Sequence, residues 1–127
     1  MMKFHKIEGA MQAAGHYTPA VSANGFLFIS GQVPKDPRTG ELYEGGLEKQ
    51  FLGVLNNLKE LLESSGSSLD RVVKVNIYAP DSGDWGKINE VYAQFFGEHK
   101  PARAVIPCGE LRNGYLLELE AIALLND

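Results

Sequence analysis

Cysteine occurs once in the 127 residues, at Cys108, so no disulfide can close within the chain and no thiolate pair can grip a metal ion. This usage fits a reducing, cytoplasmic setting. Histidine is almost as scarce: His5, His16 and His99 stand at spacings that match no ligand pattern, and no metal site is expected from them. Long apolar runs are missing too. Met1 to Lys6 is not followed by the apolar stretch of an export signal, and no segment approaches the ~20 residues a membrane span needs. Positive charge is in short supply, with 12 Lys and Arg against 16 Asp and Glu and a net charge of −4. That balance argues against a broad nucleic-acid surface, which shows a clustered basic footprint. Repeats are absent, and Ser64 to Ser68 is too short a small-residue run to tether two domains. With 44% hydrophobic and 22% charged residues, the chain reads as one globular domain over 1–127.

The periodicities outline its elements. Lys3 to Ile7 suggests a short edge strand with Phe4 as its buried anchor, and Glu8 to Thr18 reads as a loop ending near Tyr17. Ala20 to Ala23 and Phe26 to Ser30 flank Asn24-Gly25, a dipeptide suited to the positive φ angles of a two-residue hairpin. Pro34 to Gly40 is an exposed connection. Leu47, Phe51, Val54, Leu55, Leu58, Leu61 and Leu62 recur at three- and four-residue steps, one face of a helix that Gly66 can terminate. Arg71 to Ala79 alternates as a strand. Asp84 is placed to cap a second helix whose apolar side carries Trp85, Ile88, Val91, Tyr92, Phe95 and Phe96, with Gly97 closing it. The order β, ββ, α, β, α, ββ lacks regular βαβ alternation, which implies an α+β domain with both helices on one face of a mixed sheet. The other face then needs cover, and a second copy of the chain is the economical source.

Pro101 to Ala123 concentrates the chemistry. Arg103 precedes two apolar runs separated by Asn113-Gly114; along the second, Leu117, Leu119, Ala121 and Ala123 share one strand face and Leu116, Glu118, Glu120 and Ile122 the other. Two carboxylates on a half-apolar face are either solvated or part of a site with Arg103. The planar fork of Arg103 suits either a structural ion pair or a substrate carboxylate.

These residues resemble a known family. P-A-R at 101–103, E-L-E-A-I-A at 118–123, I-S-G-Q-V-P at 29–34 with D-P-x-T-G at 36–40, and N-E-V-Y-x-x-F-F at 89–96 are similar to the reactive intermediate deaminases, also called YjgF and often named L-PSP endoribonucleases. The resemblance implies a chorismate-mutase-like fold assembled as a homotrimer with clefts at subunit boundaries. The reaction it implies is hydrolysis of imines and enamines of the 2-aminoacrylate type to 2-oxo acids and ammonia, without a cofactor. By position, Arg103 corresponds to the carboxylate-binding arginine, Glu118 to the acid near the reacting carbon and Tyr17 to the site tyrosine. Ser30, Gly31 and Asn89 match substrate-binding positions, and Ala104 and Val105 would contribute backbone groups. Departures stand at His16, Arg112 and Pro107, and Val105 replaces a cysteine frequent in the family, so no thiol nucleophile is carried over to Cys108. A single-strand ribonuclease and a non-catalytic carboxylate-binding regulator are the alternatives.

Overall fold

In the computed structural model, which describes residues 1–127, the three-and-four spacing of the leucines becomes helix α1 (Leu47–Ser64). Its residues Phe51, Val54, Leu55, Leu58, Leu61 and Leu62 are buried in the core. The helix ends as its glycine predicts: Gly66 adopts φ 80°, and the Ser67 N–H donates to the Leu62 carbonyl at 2.9 Å, closing a Schellman cap. Helix α2 (Trp85–Phe96) ends on Gly97 at φ 66°, and α1 packs against it. Asp84 does not cap α2. It lies in a short 3-10 turn that leads into the helix, so the chain is already helical there, and the capping carboxylate is Asp81, which accepts the Gly83 N–H at 2.8 Å.

Six strands form one sheet: β1 (Lys3–His5), β2 (Ala20–Ala23), β3 (Phe26–Gln32), β4 (Val72–Ala79), β5 (Ala102–Pro107) and β6 (Glu118–Leu124). Their spatial order is β1-β2-β3-β6-β4-β5. Every neighbouring pair is antiparallel except β4 and β5, which run parallel through α2. The order of elements thus hides one βαβ unit. Asn24 and Gly25 take φ 53° and 83° in the β2–β3 hairpin, as that dipeptide allows. Asn113 and Gly114, also at positive φ, do not fold β6 back on β5, because β4 lies between those strands. Pro107 is tolerated because β5 is an edge strand, where a missing donor costs no ladder bond on the outer side.

The sheet's two faces differ sharply. Leu27, Ile29, Val75, Ile77, Leu119, Ala121 and Ala123 are buried beneath the two helices. The opposite face carries Phe26 and Phe28, their rings 6.3 Å apart, with Val21 and Ile122 alongside. Phe4 belongs to this open face and is 65% exposed; Ile7, beyond the strand's end, is the buried anchor instead. With only three residues in β1, alternation alone could not say which side faces the core.

Loops are tied to α1 by buried polar side chains. Asn57 accepts the Tyr43 hydroxyl at 2.9 Å and donates to the Lys35 carbonyl at 2.8 Å, while Gln50 accepts the Leu116 N–H at 3.0 Å. Arg38 grips the Glu60 carboxylate with both terminal nitrogens and donates to the Glu8 carbonyl at 3.0 Å. These bonds hold the 8–19 and 33–43 segments against the end of β3, where the candidate site begins. No helix is long and apolar enough to cross a membrane.

Candidate functional site

The β3 ladder with β6 is irregular between Ile29 and Gln32, and this break re-aims the residues that the sequence singles out. Ser30 turns its hydroxyl to the Thr18 carbonyl, donating at 2.6 Å, and its N–H bonds the Pro19 carbonyl at 2.9 Å. Gly31 sits directly under Glu118: a Cβ there would fall 2.1 Å from Oε2. Tyr17, 52% exposed, forms a wall of the same cleft, which has a volume of about 430 Å³. Tyr17, Ser30, Gly31 and Glu118 are therefore brought together.

The electrostatics of this cleft follow from its position on the sheet. Burial, and then the charge of Glu120 two residues on, push the Glu118 carboxyl above its ordinary value of 4.5. Glu120 has donors of its own, the Tyr78 hydroxyl at 2.7 Å and the Asn76 amide at 3.3 Å, and Glu118 has none from the chain. The carboxyl of Glu118 is thus free to exchange protons with a bound molecule.

Arg103 stands elsewhere. Its register partner on β4 is Val75, a residue of the helix-covered face, so Arg103 points toward α2 while Glu118 lies on the open face. Nη1 donates to Asn89 Oδ1 at 3.0 Å, and Cζ lies 4.8 Å from the Tyr92 ring centroid and 5.6 Å from that of Trp85. These contacts hold the guanidinium by one hydrogen bond and two aromatic faces. No carboxylate of the chain pairs with it, and a cleft of about 360 Å³ opens beside it. Burial pushes the Tyr92 hydroxyl up to about 12, against the opposing pull of Arg103, so that group stays neutral.

Two half-sites result. β4 separates β5 from β6, and Glu118 pairs with Tyr78, three residues along β4 from Val75, the partner of Arg103; Arg103 and Glu118 are therefore about 14 Å apart along the sheet and face opposite ways. The carboxylate of an imino acid is one bond, about 1.5 Å, from its reacting carbon. A single chain cannot apply both residues to one such molecule.

The endoribonuclease L-PSP family model matches residues 7–125. A RutC family protein of Pyrococcus horikoshii is 47% identical over 116 residues, 91% of this chain and 92% of its own. The chain belongs to the L-PSP family. A human member named 2-iminobutanoate/2-iminopropanoate deaminase is 36% identical over 112 residues, 88% of this chain and 82% of that protein. The crystal structure of yeast YEO7 superposes with a TM-score of 0.93 at 40% identity, covering 99% of this chain and all of that one. Escherichia coli TdcF, solved with bound serine, gives 0.89 at 34% identity, covering 98% and 99%.

Within this L-PSP chain, the motif residues divide between the half-sites. Asn89 orients Arg103, and Ala104 and Val105 follow on the edge strand, Val105 packing partly against the core and Ala104 facing the open side. Sequence reasoning placed Trp85 in the apolar stripe of α2, yet it is 50% exposed and flanks Arg103. The signal was present: Trp85, Asn89 and Tyr92 follow at four- and three-residue steps and must share a helix face. Tyr115, Lys35 and Arg112, which also line the Glu118 cleft, come from loops whose approach no periodicity encodes. Cys108 lies beyond β5, its N–H bonded to the Ala79 carbonyl at 3.3 Å, and lines neither half-site.

Proposed function

We propose that this protein hydrolyses reactive imines and enamines of the 2-aminoacrylate type to 2-oxo acids and ammonia. The observation that carries the reading is Arg103: a guanidinium oriented by Asn89 and two aromatic rings, with most of its donors unspent and no carboxylate of its own chain. A bound carboxylate completes that arrangement. The human relative's name supports the same chemistry. TdcF's bound serine supports an amino-acid-sized ligand.

In the proposed reaction the enamine takes a proton from water on carbon, gives one up from nitrogen to water and becomes the imine. Water then adds to C2 as the C=N pair moves to nitrogen. Glu118 accepts one water proton and passes it to that nitrogen, giving the carbinolamine, and then takes the carbinol O–H proton and passes it to the same nitrogen; the C–N bond breaks, ammonia leaves and the C=O forms. The Ser30 hydroxyl donates its hydrogen bond to the Thr18 carbonyl, so its oxygen is left as an acceptor for the imine N–H. Tyr17 walls the cleft on its solvent side. Ala104 and Val105, on an edge strand, offer alternate backbone groups beside the carboxylate.

Because the half-sites face opposite ways, the reading requires Arg103 of one copy to meet Glu118 of another. We place them in a homotrimer, the assembly the family resemblance implies, with the open aromatic face buried between copies. The cytoplasm is the proposed location. The test is ammonia release from freshly generated 2-imino acids by the purified protein. Arg103→Ala is expected to lower kcat/KM by about a hundredfold with the circular dichroism spectrum unchanged. Equal turnover by the variant would remove the proposal. RNA cleavage by nuclease-free protein, lost in Glu118→Gln, would put the ribonuclease activity in its place; saturable carboxylate binding without turnover would favour the regulator.

A further inference from the structure

A second cavity, of about 150 Å³, adjoins the Glu118 cleft, walled by Ile7, Ala10, Ala13, Pro19, Val33 and Leu61. Ala14, Tyr17, Gly31, Val33 and Lys35 line both spaces, so the two adjoin where Gly31 supports the Glu118 carboxylate. One wall of the second cavity is apolar, where Ile7 and Leu61 belong to the buried core and Ala10 packs against it, while Gln12, Gln32, Lys35 and Asp36 stand elsewhere on the lining. Asn57, the buried amide on its lining, has already given its oxygen to Tyr43 and its nitrogen to backbone carbonyls, so it asks nothing of an occupant. Small side chains at Ala10, Ala13 and Ala14 line this space.

The imine carbon is planar and carries three groups. In the proposed reaction its carboxylate goes to Arg103 and its nitrogen to Ser30 and Glu118, which leaves the side chain unassigned. We infer that the second cavity receives that side chain, and that the preferred substrates are imines of amino acids with a branched aliphatic group of about four carbons. A methyl group would leave most of this space unfilled, whereas an apolar cavity of about 150 Å³ is large enough for a benzene-sized molecule. The inference rests on the deaminase reading for the placement of the carboxylate and nitrogen.

The experiment measures kcat/KM on imines generated in situ from leucine and from alanine by an amino-acid oxidase. The wild-type protein should favour the leucine imine by about tenfold or more, the scale on which apolar pockets sort side chains. Ala13→Phe, which fills the cavity, should lower that ratio by a similar factor. A wild-type ratio near one, or a ratio that Ala13→Phe leaves untouched, overturns the inference while the deaminase reading stands. Calorimetric binding of 4-methyl-2-oxopentanoate and pyruvate to the wild-type protein reads the same pocket without turnover or substitution. Tighter binding of the branched acid, with no imine turned over, would keep the pocket and remove the deaminase reading; equal binding overturns the pocket even if Ala13→Phe does not fold.

Discussion

Glu118 occupies the space that a side chain at position 31 would take. Gly31→Ala would bring a methyl within 2.1 Å of Oε2, so the carboxylate must turn away. The expected outcome is a fall in kcat/KM of about tenfold or more with little change in Tm, since the displaced group is a mobile side-chain end. The raised carboxyl of Glu118 has two further consequences. As the proposed base it must be ionised, so the acid limb of the wild-type kcat/KM against pH should lie above the ordinary carboxylate range. For stability, a carboxyl raised on folding binds more protons in the native than in the unfolded state. Its contribution is therefore full below the unfolded value and is lost as pH rises through the folded one. Glu118→Gln should raise Tm at pH 7 and gain nothing near pH 3, as thermal melts across that range would record. Activity and stability thus pull Glu118 in opposite directions.

At the scale of elements, α1 carries an unusual constraint in Gly53. A glycine amid a helix costs about 1 kcal/mol against alanine, yet a Cβ here would lie 2.0 Å from the Tyr43 ring. Gly53→Ala should consequently destabilise by about 1–3 kcal/mol in chemical denaturation, because overpacking outweighs the helix propensity gained. Nothing in the sequence announces that contact, as Tyr43 arrives from a loop ten residues away in the chain. What could be read was periodic: the seven apolar positions of α1, and Leu117 to Ala123 alternating about Glu118. Where a segment was short, the pattern failed. Three residues of β1 could not orient Phe4, and Asp84, one helical turn late, lost its capping role to Asp81. Trp85 failed for another reason, since an aromatic on an apolar stripe is ordinarily core, and here a cation takes the place of the core. The site residues themselves came from motif resemblance. Their division between two faces follows from strand order, which local sequence does not specify.

The molecule as a whole presents a sheet covered on one side only. Phe26 and Phe28 remain 42% and 46% exposed beside Val21 and Ile122, a patch that a soluble monomer would rarely leave bare. On the proposed assembly, Phe28→Glu should therefore sediment as a smaller species than the wild-type protein in sedimentation equilibrium and lose the proposed deamination with it. Arg103→Ala should leave the sedimenting mass unchanged. The separation of Arg103 from Glu118 on one chain has a genetic corollary. In the proposed assembly Arg103→Ala and Glu118→Gln chains, each strongly impaired alone, carry complementary lesions, and mixing them by denaturation and refolding would restore about one functional cleft in four. Such rescue between two crippled alleles is something an enzyme with its whole machinery in one polypeptide could never display.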